Sequence, residues 1–127
     1  MSSPFLDRPP AEWLAANELA FAIPDRFPVS PGHALVVPHR LIPTWFDATR
    51  EERLAILELV DEVKRQLDTR EPRPAGYNIG INVGPAAGQT VMHLHVHVIP
   101  RYEGDVDDPT GGVRHVIPGK GNYLKGA

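Results

Sequence analysis

Residues 93–99 read His-Leu-His-Val-His-Val-Ile. Histidine and aliphatic residues alternate strictly, and in a β-strand successive side chains point to opposite faces. The spacing predicts a strand over Met92 to Ile99, with His93, His95 and His97 on one face and Leu94, Val96 and Val98 on the other. The aliphatic face gains by being buried against a core. The imidazole face has no packing reason to exist, and three groups that titrate near neutral pH on one strand point to chemistry.

Three readings of the row can be weighed. At about 3.3–3.4 Å per residue, His93 and His97 have Cα atoms roughly 13 Å apart. Zinc–nitrogen bonds are only about 2.0–2.1 Å long. One metal can be shared by two neighbours of the row, but not by all three on a regular strand. The chain also has no cysteine, so the usual structural zinc sets are missing. A metal enzyme using His93 with His95, or His95 with His97, stays open as an alternative; the preferred reading has no metal ligands. A purely structural role suits a lone histidine better than three on one face. The third reading is catalysis: neutral imidazole forms covalent intermediates, and flanking groups set its tautomer and move protons. His95, with a partner on each side, is the candidate nucleophile.

The rest of the chain bounds the fold. At 127 residues and 42% hydrophobic content it has material for one core. A formal net charge of −3 gives no basic footprint for nucleic acid. No apolar run reaches membrane-span length, and Met1 to Phe5 lacks the basic and apolar stretches of a signal peptide. The expectation is a cytoplasmic protein with no nucleic-acid or membrane partner.

Residues 1–10 read as a loose arm, and Pro10 opens a short helix to Ala16 that packs through Trp13 and Leu14. Strands are expected at Leu19–Ile23 and His33–Val37. Thr49 and Glu52 have capping-box spacing. Ile56, Val60, Val63 and Leu67 then recur at helical intervals, so a long helix should cover the aliphatic face of the sheet. Tyr77–Val83 is expected to form a strand antiparallel to the histidine strand. The Gly84–Thr90 turn between them offers free amides at Ala86, Ala87 and Gln89 that suit a phosphate. His39 reads as a surface residue. This order implies an α+β domain with an antiparallel sheet, one long helix and a short N-terminal helix. The divisions are an arm with its short helix (1–16), a catalytic domain (17–101) and a tail (102–127) that packs on the domain or on a partner subunit.

The His-φ-His-φ-His-φ-φ pattern of residues 93–99 (φ, hydrophobic) resembles the signature of the histidine triad (HIT) superfamily. Gly88-Gln89-Thr90-Val91-Met92, Pro100-Arg101 and the block Phe27 to Pro38 strengthen the resemblance, which is nearest to the diadenosine polyphosphate hydrolase and fragile histidine triad branches. It covers roughly residues 17–101 and implies the HIT-like fold, usually a homodimer. It also implies a nucleotide hydrolase that acts at the α-phosphorus of a nucleoside monophosphate ester, anhydride or phosphoramidate through a nucleotidyl-histidine.

On that resemblance His95 aligns with the nucleophile and His97 with the histidine at the α-phosphate or bridging oxygen. His93 and His33 belong to the supporting network. Asn82, Gly88, Gln89 and Thr90 lie around phosphate and leaving group. Asp25 aligns with a ribose-binding residue, and Phe21, Ile23 and Leu35 line the pocket of a base, usually adenine. No cofactor is required, with Mg2+ allowed alongside a polyphosphate. In the tail, Arg114 or Lys120 is expected to reach the leaving group. A histidine at position 97, where related uridylyltransferases carry glutamine, favours hydrolysis over transfer. A nucleotide-binding module with incidental turnover and a nucleotidyltransferase are the alternatives.

Overall fold

The computed structural model describes residues 2–125. Five strands, β1 (Ala15–Ala16), β2 (Ala20–Pro24), β3 (Ala34–Pro38), β4 (Gly76–Gly80) and β5 (Val96–Arg101), form one sheet in the order β1-β2-β3-β5-β4. Every neighbouring pair is antiparallel. Among the described residues a single α-helix, α1 (Arg50–Leu67), packs on one face, which gives the expected α+β architecture.

The alternation within the strands decides which side chain goes where. From β2 and β3, Ala20, Ala22, Ala34 and Val36 face α1, joined by Leu94, Val96 and Val98 of the histidine segment. Ile56, Leu59, Val60, Val63 and Leu67 of the helix meet them. The small alanines let α1 lie close. The intervening Phe21, Ile23, Leu35 and Val37 point to the opposite face and form a second apolar cluster with Phe5, Trp13 and Val91. The middle strands are therefore buried on both sides.

Helix α1 starts where the spacing predicts. Thr49 Oγ1 accepts the Glu52 N–H at 3.1 Å, and the Glu52 carboxylate accepts the Thr49 N–H at 2.9 Å. Glu52 is buried, and Arg40 donates to both its oxygens at 2.7 and 3.0 Å. This pairing holds the Glu52 carboxyl below the usual carboxylate range.

Several boundaries differ from the sequence reading. Residues 1–10 are not a loose arm in the part described: Ser3, Phe5 and Arg8 are buried. The expected Pro10–Ala16 helix is one 3-10 turn, Pro10–Glu12, followed by β1, because pairing with β2 supplies the backbone bonds a lone short helix lacks. The histidine strand begins only at Val96, so His93 and His95 precede it. β4 ends at Gly80, before Asn82. His39 stacks on Phe21, ring centroids 5.2 Å apart, rather than lying free on the surface.

The loop between β2 and β3 is pinned to the end of β5. Ser30 Oγ donates to the Pro100 carbonyl at 2.7 Å, and Tyr102 Oη donates to that of Pro31 at 2.6 Å. Gly32, at φ +93°, brings the chain within reach of α1: a Cβ there would lie 2.5 Å from Leu67 Cδ2. In the tail, a 3-10 turn at Gly112–Val116 lies against β4. Among the described residues no helix is long and apolar enough to cross a membrane.

Candidate active site

The imidazole side of the histidine segment opens into a cavity of about 370 Å³. His33, His95 and His97 line it, with Asp25, Leu35, Asn82, Gly88 and Thr90, all expected from sequence. Pro4, Phe5, Arg8, Arg26, Phe27, Val29 and Val91 complete the lining.

Hydrogen bonds to backbone groups assign the histidine tautomers. His95 Nδ1 lies 2.7 Å from the His93 carbonyl, which can only accept. The neutral ring therefore carries its proton on Nδ1, which leaves the lone pair on Nε2. His33 Nδ1 accepts the Val29 N–H at 3.1 Å, so its proton is on Nε2. That Nε2–H faces His97 Nδ1 at 2.9 Å, with Asp25 Oδ2 beside it at 3.3 Å. His97 thus accepts at Nδ1 and carries its proton on Nε2. His93 donates from Nε2 to the Pro38 carbonyl at 2.8 Å and accepts at Nδ1 from Ser3 Oγ at 2.7 Å.

The electrostatics keep His33, His93 and His97 neutral. Burial pushes the His97 imidazole down to about 4, and the neighbouring His95 and His33 rings push the same way against the pull of Asp25. Burial lowers His33 as well, with Asp25 opposing. His93 is lowered by burial, with backbone hydrogen bonds opposing. Nucleophilic attack requires a neutral imidazole, since a protonated one has no lone pair to offer.

Not every expected residue reaches the cavity. His93 is fully buried behind it and acts on His95 through its carbonyl. Phe21 and Ile23 are completely buried in the cluster with Phe5, so Leu35 alone of the expected apolar trio lines the wall. Gln89 is committed to bracing the loop: its amide donates to the carbonyls of Pro43 and Val91 at 2.7 and 3.0 Å, and its oxygen accepts the Gly84 N–H at 2.9 Å. The amides of Ala87 and Gln89, read as free, both point at the Gly84 carbonyl, closing a 3-10 turn. Gly88, at φ +95°, turns the chain back toward the cavity. Arg114 and Lys120 do not line the cavity, and Arg114 is used within the tail, with Nε on the Gly121 carbonyl.

Asp25 sits just past β2. Its Oδ1 accepts the Phe27 N–H at 2.8 Å, and its Oδ2 faces the His33–His97 pair. The nearest set of ligand atoms that could hold a metal comes from Asp25, His33 and His97, all within 4.8 Å of one another, and not from neighbours in the row. At 2.9 Å, His33 and His97 share a proton, which a metal would have to displace. Ser3, Phe5 and Arg26 were not foreseen; a serine and a phenylalanine in a proline-containing leader carry no spacing signal.

The HIT domain family profile matches residues 8–104. The chain is 37% identical over 108 residues to a Mycobacterium tuberculosis protein named AP-4-A phosphorylase, covering 83% of this chain and 54% of that one. It is 36% identical over 98 residues to the bifunctional bis(5'-adenosyl)-triphosphatase/adenylylsulfatase FHIT of Arabidopsis thaliana, covering 77% and 54%. It is 38% identical over 92 residues to the asymmetrical bis(5'-nucleosyl)-tetraphosphatase of Schizosaccharomyces pombe, covering 72% and 50%. The chain spans about half the length of these relatives.

Among solved structures, a HIT family protein of Bacillus subtilis superposes with a TM-score of 0.73 at 29% identity, covering 83% of this chain and 77% of that one. A zinc-bound histidine triad family protein of Mycobacterium smegmatis gives 0.69 at 34% identity, covering 76% and 70%. With three histidines around one cavity and the family profile spanning the fold from arm to β5, the chain belongs to the HIT domain family.

Proposed function

We propose that this protein is a nucleotide hydrolase working at the α-phosphorus of a dinucleoside polyphosphate or a related nucleoside monophosphate ester or phosphoramidate. The observation that carries the reading is the tautomer of His95. Its Nδ1–H is held by the His93 carbonyl, so the Nε2 lone pair is the one available to substrate. The names of the relatives, an AP-4-A phosphorylase, a bis(5'-adenosyl)-triphosphatase and a bis(5'-nucleosyl)-tetraphosphatase, support the substrate class.

In the first step the His95 Nε2 lone pair forms a bond to the α-phosphorus while the bond from phosphorus to the leaving group breaks. A polyphosphate departs as an anion and needs no proton; an amine takes one from water. His97 Nε2–H and the Asn82 amide donate to the phosphoryl oxygens as charge builds on them. Arg26 at the cavity rim, with no ion pair among the described residues, faces the polyphosphate. Because His95 keeps its Nδ1 proton, the adduct is cationic and its imidazole leaves neutral when an acceptor attacks. Asp25 accepts from the ribose hydroxyls, and Leu35 flanks the base. The attack itself calls for no metal, and Mg2+ accompanies a polyphosphate substrate as its counterion.

Water as the acceptor makes this hydrolysis. The Mycobacterium tuberculosis relative, named a phosphorylase, supports a second reading in which inorganic phosphate takes the nucleotidyl group and a nucleoside diphosphate results. Rapid-quench mass spectrometry of wild type and His95→Ala, with diadenosine tetraphosphate and an adenosine phosphoramidate, tests both. The expected result is one AMP adduct on wild type and none on His95→Ala. AMP as product despite added phosphate supports hydrolysis, and ADP appearing only with phosphate supports phosphorolysis. Turnover with no adduct overturns the covalent route.

A further inference from the structure

The segment before the family-matched region contributes to the site. The match begins at residue 8, yet Ser3 and Phe5 are buried against the histidine row, with 1% and 8% of their surface exposed. His93 must carry its proton on Nε2, because that atom faces the Pro38 carbonyl at 2.8 Å. Its Nδ1 lone pair needs a donor, and in this fully buried setting Ser3 Oγ provides it at 2.7 Å. The same serine oxygen accepts the Phe5 N–H at 3.2 Å, which sets the next turn of the arm. Phe5 then places its ring edge-on to His95, centroids 4.9 Å apart, and tilted against His93 at 5.9 Å. Arg8 anchors the arm, donating to the Pro24 carbonyl and to Glu12, each at 2.9 Å.

We propose that Ser3 and Phe5 are positioning residues for the nucleophile, which makes the N-terminal arm a built part of the active site. Ser3 clamps the His93 ring at its second nitrogen. A ring fixed at both ends fixes its own peptide, and the carbonyl of that peptide holds the Nδ1 proton of His95. Phe5 closes the other side and limits rotation of the His95 ring. The cavity keeps about 370 Å³ with the arm in place, so the arm is a wall and not a plug. The inference rests on His95 being the nucleophile.

The test compares Ser3→Ala, Ser3→Thr and Phe5→Leu in the full chain. It measures single-turnover adduct formation with diadenosine tetraphosphate, KM, melting temperature and the nitrogen-15 signature of the histidine tautomers. Ser3 does not line the cavity, so Ser3→Ala should slow adduct formation about tenfold at unchanged KM, short of the roughly hundredfold that a 1 Å misplacement can cost. The His95 ring should lose its pure Nδ1–H signature, and Ser3→Thr should restore both. Phe5→Leu, which keeps the apolar contact, should slow the same step several-fold while the protein stays folded. Unchanged rate and tautomer signature in Ser3→Ala overturn the proposal, as does a loss that threonine does not rescue. If Ser3→Ala does not fold, Phe5→Leu decides by the same two readouts. If wild type forms no adduct, the covalent reading fails, and the nitrogen-15 signatures still decide whether the arm positions His95.

Discussion

His97 is held neutral by burial, and this has a consequence for stability. In the unfolded chain it takes up a proton near its ordinary value, whereas in the folded protein it does so only near 4. Between those pH values the unfolded state binds more protons, so stability falls as the pH drops through that window. His33 and His93 are lowered too and act in the same direction. Urea unfolding at pH 7 and at pH 4.5 should show a loss on the order of 2–3 kcal/mol from His97, and His97→Gln should flatten the dependence. Asp25 allows a second check at this scale. Asp25→Asn should weaken AMP binding about tenfold, in line with losing a hydrogen bond to a charged acceptor. Binding of 2′,3′-dideoxy-AMP should change little, and calorimetry distinguishes the two. Equal losses for both nucleotides would place Asp25 in the histidine network alone.

Elements hold the site by their ends more than by their middles. His33 enters at the start of β3, Asp25 leaves at the end of β2, and His95 lies one residue before β5. The helix behind them contributes packing only, so its own stability can be altered without touching chemistry. Removing the Thr49 cap leaves the Glu52 N–H without its side-chain acceptor. Thr49→Ala should cost about 1 kcal/mol in urea unfolding while leaving the rate of adduct formation unchanged. A drop in that rate would show that α1 and the histidine segment are coupled through Leu94 and Val96.

For the whole molecule, β4 is an outer strand whose Ile79 is 50% exposed. Met92 and Val83 are also exposed, at 37% and 36%. An open strand edge with apolar side chains is a template for pairing. A homodimer whose sheets join along this edge is our expectation. Wild type should sediment as a dimer and Ile79→Lys as a monomer, since the lysine places a like charge on both copies of a two-fold contact. Ile79→Lys that remains dimeric would move the interface elsewhere.

The sequence alone determined the elements that repeat with a period. The row 93–99 placed Leu94, Val96 and Val98 in the core. The Thr49–Glu52 pair marked the start of α1 to the residue. Matching motifs brought His33, His95, His97, Asp25, Asn82, Gly88 and Thr90 to one cavity. Alternation reports only which way a side chain points within its own element. It put His93 on the imidazole side without showing that the ring is buried behind the cavity against Ser3 and Pro38, and it could not see that Gln89 spends its amide on the loop. The His93 and His97 tautomers, the buried arm and the Asp25–His33–His97 trio depend on contacts between residues far apart in the chain, 90 residues from Ser3 to His93 and 64 from His33 to His97. Those contacts leave no local pattern, because their geometry exists only once the core has packed and water has been excluded from the rings.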